Sequence, residues 1–365
     1  LTRTENLLLR CCNIAKSALG KQKTNPLVGS ISLVDGKIMA EGWHTGFGLP
    51  HAEVEVLTQF YPRAGNHELI VTLEPCCHYG KTPPCADLII KEGISIVHIG
   101  IQDPNPLVAG KGIEKLRNAG IEVHQYEHMD ALHQLIRPFA TNIKYKRPYI
   151  ILKWAQSMDG FISKKEERNQ LSGAMSQFHL HLIRNKIDGI FVGNNTILTD
   201  SPYLTSRIAP FSHPSKIVMD IHGRMRQLMK NNWLNENDFY FCNKSTGLAT
   251  NNNKENQNTT QINIPYENYL QSWAFMLENL YEHNVGTLLV EGGAEVLSFL
   301  INHNLWDECM IIKTPVKLTK GVAAPQMLIK PSTKVQIGFD TWENYFNTDV
   351  QTHLPARSLY FPSID

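Results

Sequence analysis

An alternation of strand-like and helix-like segments restricts the fold most: it stops at Lys144-Tyr145-Lys146-Arg147-Pro148 and then starts again. Such alternation favours α/β layers around a largely parallel sheet. Before the break, residues 7–19 carry apolar positions at helical spacing. Val28–Val34 reads as a strand, Asp35-Gly36 as a turn and Lys37–Trp43 as its hairpin partner. A helix over His51–Phe60, a strand at Leu69–Leu73, a helix at Cys85–Lys91 and a strand at Ile96–Ile101 follow. Next come a helix at Gly112–Asn118, a strand at Ile121–Tyr126 and a helix from Met129 towards Tyr145. After the break the clear pieces are strands at Tyr149–Trp154, Ile190–Gly193, Lys216–Asp220 and Thr287–Val290, with helices at Met175–Lys186 and Tyr269–His283. Two α/β domains, 1–146 and 147–365, are expected, as suits 365 residues. Asn231 to Ile264 is rich in Asn and poor in apolar residues; it reads in part as a loop insertion around a short strand, Phe239–Cys242.

Charge and cysteine usage narrow the function classes. Lys+Arg 35 against Asp+Glu 34 leaves +1, so no global field recruits nucleic acid or an anionic membrane. No apolar run is long enough to span a bilayer. The start Leu1-Thr2-Arg3-Thr4-Glu5 lacks a basic region before a long apolar core, so no secretory signal is expected. Seven cysteines, an odd number in a long chain, do not make a disulfide framework, and a cytoplasmic enzyme is expected.

Three of those cysteines, Cys76, Cys77 and Cys85, crowd one loop beside His78, and His51-Ala52-Glu53 lies upstream. A catalytic zinc needs three protein ligands and an open position for water, and a histidine with two thiolates supplies that set. A glutamate two residues after the histidine can move a proton without ligating the metal. His-x-Glu followed by Pro-Cys and a second Cys is the zinc deaminase signature. Cys77 and His78 compete as ligands; Cys76 is preferred because it directly follows Pro75.

The loop Pro75-Cys76-Cys77-His78-Tyr79-Gly80-Lys81-Thr82-Pro83-Pro84-Cys85 is longer than the usual Cys-x-x-Cys. Together with Asn25-Pro26-Leu27-Val28-Gly29, Gly42-Trp43-His44, His51-Ala52-Glu53 and Gln102-Asp103-Pro104-Asn105-Pro106, it resembles the deaminase domain of the bifunctional riboflavin-biosynthesis deaminase–reductases. The resemblance implies a cytidine-deaminase-like three-layer α/β/α domain. It makes His51, Cys76 and Cys85 the ligands of one zinc per chain and Glu53 the proton shuttle. Asn25, His44, His78 and Lys81 become candidates for holding a pyrimidine and its ribose phosphate.

The second half is similar to the reductase domain of the same family, whose fold is like dihydrofolate reductase. The similarity runs through Lys153-Trp154-Ala155-Gln156-Ser157-Met158-Asp159-Gly160, Leu171-Ser172-Gly173, Leu182-Ile183-Arg184, Val192-Gly193-Asn194-Asn195-Thr196, Leu198-Thr199-Asp200-Ser201-Pro202, Leu204-Thr205-Ser206-Arg207 and Val290-Glu291-Gly292-Gly293-Ala294. Gly292-Gly293 at a strand end lets backbone approach a pyrophosphate, and the next helix start offers free N–H donors. Arg184 and Arg207 are candidate anchors for a phosphate or substrate. Lys153 on a buried strand needs a partner, for which Glu291 or a substrate phosphate could serve. The resemblance implies substrate contacts from Lys153, Ser172, Arg184, Leu204, Arg207 and Glu291. It implies NADPH contacts from Ala155, Thr196, Asp200, Gly292, Gly293, Ala294 and Glu295. One departure stands out: Gln170 replaces the tryptophan common in the family, removing an aromatic wall beside the cofactor.

The expected function is therefore bifunctional: zinc-dependent deamination of a diaminopyrimidinone ribose phosphate, then NADPH-dependent reduction of the product's ribose to a ribityl chain. The implied partners are phosphorylated pyrimidines and further copies of the chain, with no nucleic acid or membrane. The alternative is a zinc nucleoside or tRNA adenosine deaminase with a non-catalytic second domain. A zinc scaffold without activity is more remote, because structural zinc usually has four protein ligands.

Overall fold

The computed structural model describes residues 1–59, 65–79, 83–164, 170–209, 213–225, 233–243, 259–266, 268–347 and 358–360. The chain divides into two compact units, Leu1–Lys146 and Arg147–Asp365.

The first unit opens with α1 (Arg3–Ala15), whose start is fixed by a capping box between Thr2 and Glu5. The helix begins before the apolar spacing at 7–19 because its first turn is polar, and it gives way at Lys16–Ala18 to a tighter 3-10 turn. Strands β1 (Gly29–Val34) and β2 (Lys37–Trp43) form the expected hairpin. Asp35 and Gly36 both take positive φ, 48° and 73°, the conformation whose twist suits a two-residue turn. Then follow α2 (Ala52–Leu57), β3 (His67–Leu73), α3 (Cys85–Lys91), β4 (Ile96–Ile101), α4 (Lys111–Asn118), β5 (Glu122–Gln125) and α5 (Asp130–Tyr145). The sheet order is β2-β1-β3-β4-β5. Only β3-β4 and β4-β5 are parallel; β1 runs antiparallel to both neighbours. This sheet is thus half antiparallel rather than largely parallel, because the Asp35-Gly36 turn returns the chain beside β1 and β3 meets β1 in the opposite sense. All positions of β1 are buried, so helices cover both faces of the sheet. Helix α1 packs on β1, β2, β3 and α5, while α2 packs on β1, β2 and α3.

The second unit contains β6 (Tyr149–Gln156), β7 (Phe161–Ser163), α6 (Ala174–Arg184), β8 (Gly189–Phe191), α7 (Asn194–Asp200), β9 (Ser215–Asp220), β10 (Phe239–Asn243) and β11 (Thr260–Ile264). Next are α8 (Tyr269–Glu282), β12 (Thr287–Val290), α9 (Ala294–Asn302), β13 (Glu308–Lys313), β14 (Val322–Ala323), β15 (Thr333–Ile337) and β16 (Asp340–Phe346). Nine strands form one sheet, β11-β10-β9-β8-β12-β6-β13-β16-β15. It is parallel from β11 to β13 and antiparallel where β16 meets β13 and β15. The Asn-rich stretch therefore contributes two strands. Its second, β11, escaped the sequence reading because an edge strand packs on one side only: Gln261 and Asn263 are exposed while Ile264 is buried. Trp273 of α8 is fully buried against Phe191, with ring centroids 4.8 Å apart. Buried Arg147 clamps Asp307 with two hydrogen bonds, at 2.5 and 2.9 Å, and Asp307 also accepts the Ile150 N–H at 2.7 Å. Among the described residues no helix is long and apolar enough to cross a membrane.

Candidate active sites

In the first unit, α2 and α3 both start at a candidate ligand. His51 is the N-cap of α2 but makes no side-chain cap bond, so its ring is free to turn towards the cysteine loop. Its Nδ1 lies 3.7 Å from Cys76 Sγ and 3.3 Å from Cys85 Sγ. The Cys85 backbone N–H donates to Cys76 Sγ at 3.3 Å. One donor atom from each of His51, Cys76 and Cys85 lies within 4.8 Å of the others, a set that could hold a metal ion. Cys77, the competing neighbour, has no place in that cluster. Hydrogen bonding from Cys85 draws the Cys76 thiol down to about 4 against the opposing effect of burial, with His51 assisting. The Cys85 thiol is pushed up for the matching reason, its bond to Cys76, and by burial. One imidazole and two sulfurs of this kind suit zinc.

Glu53, in the first turn of α2, is buried, and burial raises its carboxyl to about 7. It lines a cavity of about 190 Å³ together with Asn25, His44, His51, Cys76 and His78. His44 Nδ1 faces the Pro50 carbonyl at 2.9 Å, and its Nε2 lies 3.0 Å from Asn25 Nδ2. A carbonyl can only accept, so Nδ1 carries the proton and Nε2 accepts from the Asn25 amide. That leaves the Asn25 carbonyl oxygen available to a ligand. Burial pushes the His44 imidazole below its ordinary value, which keeps this tautomer neutral. Lys81 lies outside the described residues.

The second unit holds a cavity of about 1130 Å³. Lys153, Ala155, Ser172, Thr196, Asp200, Glu291, Gly292, Gly293, Ala294 and Glu295 line it, and so does Gln170. Arg184, Leu204 and Arg207 do not: Leu204 is buried with φ 55°, and Arg207 is exposed. Gly293 has φ 58°, and a Cβ on Gly292 would crowd Val192 at 3.2 Å and Thr196 Oγ1 at 3.4 Å. This bare backbone beside Thr196 is a cradle of the kind a pyrophosphate needs. Glu291 is gripped by Arg184, Nε to Oε1 at 3.0 Å and Nη2 to Oε2 at 2.7 Å, while Arg184 Nη1 donates to the Thr205 carbonyl at 3.2 Å. Burial works to raise the Glu291 carboxyl, but Arg184 and then Lys153 outweigh it and hold it low. Burial pushes the Lys153 ammonium down, with Glu291 opposing. Lys153 thus feels Glu291 as expected, yet the hydrogen-bonded partner of Glu291 is Arg184.

Residues 148–344 match the family model of the RibD C-terminal domain, and residues 1–101 that of the cytidine and deoxycytidylate deaminase zinc-binding region. The riboflavin biosynthesis protein RibD of Aquifex aeolicus is 34% identical over 332 residues, 89% of this chain and 91% of that protein. The chain belongs to the RibD family. The resemblance read from its motifs holds, in both halves. The RibD of Bacillus amyloliquefaciens is 31% identical over 327 residues, 86% of this chain and 85% of that protein. Among solved structures, Acinetobacter baumannii RibD superposes with a TM-score of 0.82 at 27% identity, covering 94% of this chain and 98% of that one. A diaminohydroxyphosphoribosylaminopyrimidine deaminase/5-amino-6-(5-phosphoribosylamino)uracil reductase from Thermotoga maritima gives a TM-score of 0.78 at 30% identity, covering 93% and 97%. The fold expectation for both RibD domains stands accordingly.

Sequence reasoning missed several residues on the first cavity, among them Glu74, Asp103, Asn105 and Phe139. Buried Glu74 accepts backbone N–H groups from Asp103 and Gly110 on Oε2, at 3.2 and 2.9 Å, and from Gly112 and Ile113 on Oε1, at 2.8 and 3.2 Å. It therefore braces the loop that brings Asp103 and Asn105 to the cavity. Burial, with Glu74 adding to it, lifts the Asp103 carboxyl to about 6 against the Asn105 N–H. The sequence signal was slight: a glutamate directly before Pro75-Cys76, and the Gln102–Pro106 segment noted only for its likeness.

Proposed function

We propose that the chain catalyses two consecutive steps of riboflavin biosynthesis. The first unit hydrolytically removes the 2-amino group of a diaminopyrimidinone ribose phosphate, and the second reduces the ribose of the resulting aminouracil to a ribityl chain. The observation that carries the first step is the His51, Cys76 and Cys85 cluster with Glu53 buried beside it in a cavity of ligand size. One zinc per chain, held by those three side chains, would supply the charge that activates water at neutral pH. Glu53 takes the proton from the attacking water and delivers it to the departing amine; carboxyls raised towards neutrality suit such shuttling. Asn25 presents its carbonyl oxygen to a ring N–H, oriented by His44. His78 and Lys81 hold the phosphorylated ribose.

In the second unit, NADPH would supply the hydride. Gly292, Gly293, Ala294 and Thr196 cradle its pyrophosphate, with Ala155, Asp200 and Glu295 along the rest of the coenzyme. Lys153, Ser172 and Glu291 face the sugar, and Arg184 fixes Glu291; Leu204 and Arg207, which lie off the cavity, are given no contact in this reading. The cradle at Gly292-Gly293 favours this reading over an idle second unit. The test is incubation of the full chain with the diaminopyrimidinone ribose phosphate, with and without NADPH, reading products by mass. Loss of the amino group without NADPH, and a gain of two hydrogens only with it, is the expected pattern. An unchanged substrate in both arms would overturn the proposal.

A further inference from the structure

The cavity of the second unit has a wall that the nine-stranded sheet does not supply. Ile162 and Ser163 of β7 and Val322 of β14 line it, and among the described residues these two strands pair only with each other. We infer that Asp159 is a positioning residue for the reduction, pinning this ribbon to the cavity by holding Thr319 in a strained turn. The inference rests on the reductase reading above.

The ribbon needs an anchor. Two strands by themselves are marginal in water, and β14 contributes only 2 residues. Between β13 and β14 the chain, 314–321, forms no helix or strand. It is laced instead to the turn that follows β6. The Met158 N–H donates to the Val316 carbonyl at 2.9 Å, and the Ala324 N–H to the Gly160 carbonyl at 2.8 Å. A Cβ on Gly321 would run into the Ser163 carbonyl, so the two segments meet backbone to backbone.

Asp159 stands at the centre of this lacing. Its Oδ1 accepts the Ser157 hydroxyl at 2.6 Å and the Leu318 N–H at 3.1 Å, and its Oδ2 accepts the Thr319 N–H at 2.7 Å. Ser157 Oγ itself accepts the Phe161 N–H at 3.0 Å, which leaves its proton for Asp159. Thr319 has φ 64°, a left-handed conformation that a β-branched residue adopts only under constraint. Leu318 beside it is buried, and Val322, shortly after it, is on the cavity wall. All these partners of the carboxylate are donors, so an amide of the same shape would set its own N–H groups against one of them. The Ser157 hydroxyl draws the Asp159 carboxyl down to about 2 against burial, with the Leu318 and Thr319 N–H groups adding to it. The carboxylate therefore stays ionised, and accepting, at neutral pH.

The experiment is steady-state kinetics of NADPH oxidation with the aminouracil ribose phosphate, on the full chain and its Asp159→Asn, Thr319→Gly and doubly substituted variants. Asp159→Asn should raise the KM of NADPH or of the aminouracil by roughly tenfold, the scale of one lost charge-assisted hydrogen bond. Its kcat should stay within about threefold, because a displaced wall weakens ground state and transition state alike. Adding Thr319→Gly to Asp159→Asn should restore most of the loss, since glycine takes a positive φ without being held there. If Asp159→Asn is insoluble, Ser157→Ala removes one donor to the same carboxylate and should raise that KM about threefold. Unchanged KM values, even with a lowered Tm, overturn the assignment and leave the reductase reading intact. A double variant no better than Asp159→Asn overturns it as well. A wild-type chain that oxidises no NADPH overturns the reductase reading and the assignment with it.

Discussion

Arg184, the last residue of α6, meets Glu291, the first residue after β12, through two parallel hydrogen bonds of 3.0 and 2.7 Å. Both side chains are nearly buried, at 13% and 7% exposure, so the pair is shielded from salt and water.

Removing one partner of such a pair leaves an uncompensated charge, and Arg184→Ala should cost about 3–5 kcal/mol. Of the six tryptophans only Trp43 lies outside the second unit, so denaturant titration by tryptophan fluorescence reports this loss. Ammonia release by the first unit should persist while reduction fails. An unfolding midpoint equal to that of the wild type would refute the role given to the pair.

Zinc should bind once per chain, with Cys76→Ala and Cys85→Ala losing it and Cys77→Ala keeping it. Metal analysis of the purified variants measures this directly. Zinc retained by Cys76→Ala and lost from Cys77→Ala would reverse the choice between the two neighbours.

Glu53→Gln should keep both zinc and fold yet release ammonia at least about a hundredfold more slowly, the scale of a positioned acid–base. NADPH oxidation with the deaminated intermediate should be unchanged. Deamination at the wild-type rate would show that another group carries the proton.

Glu343 on β16 accepts from Lys313 at 2.8 Å, Lys334 at 2.7 Å and Tyr345 Oη at 2.6 Å. Burial would raise its carboxyl, but these donors win and hold it at about 2, below the usual 4.5. An acid depressed by folding stabilises the fold above its unfolded pKa, and that contribution fades as pH falls through the folded value. The gap in Tm between the wild type and Glu343→Gln should therefore be full at pH 6 and shrink between about pH 4.5 and pH 2. A gap independent of pH across that window would rule out the ionic origin.

What the sequence made legible follows range of interaction. The hairpin at Asp35-Gly36 and the starts of α2 and α3 are written in local residues, and so are the spaced ligands His51, Cys76 and Cys85. The direction of β1 against β3 is not, because it depends on how distant segments pack. Nor could the sequence show that Glu74 gathers four N–H groups from a loop some thirty residues further on. Arg184 and Arg207 looked alike as anion anchors; only the fold shows one locked to Glu291 and the other exposed. Edge strand β11 hid in a polar stretch because Gln261 and Asn263 have no core to face.

Strand β6 lies deep in the nine-stranded sheet, hydrogen-bonded to β12 on one side and β13 on the other. Its neighbours come late: Ile150 and Asp307, which bond at this junction, are 157 residues apart. During synthesis Leu1–Lys146 is complete long before those neighbours leave the ribosome. Until then the apolar run Tyr149-Ile150-Ile151-Leu152 has two unpaired edges, the condition under which nascent chains stick to one another. A ribosome that stalls within the Asn-rich stretch would hold out a finished first unit with that strand exposed behind it.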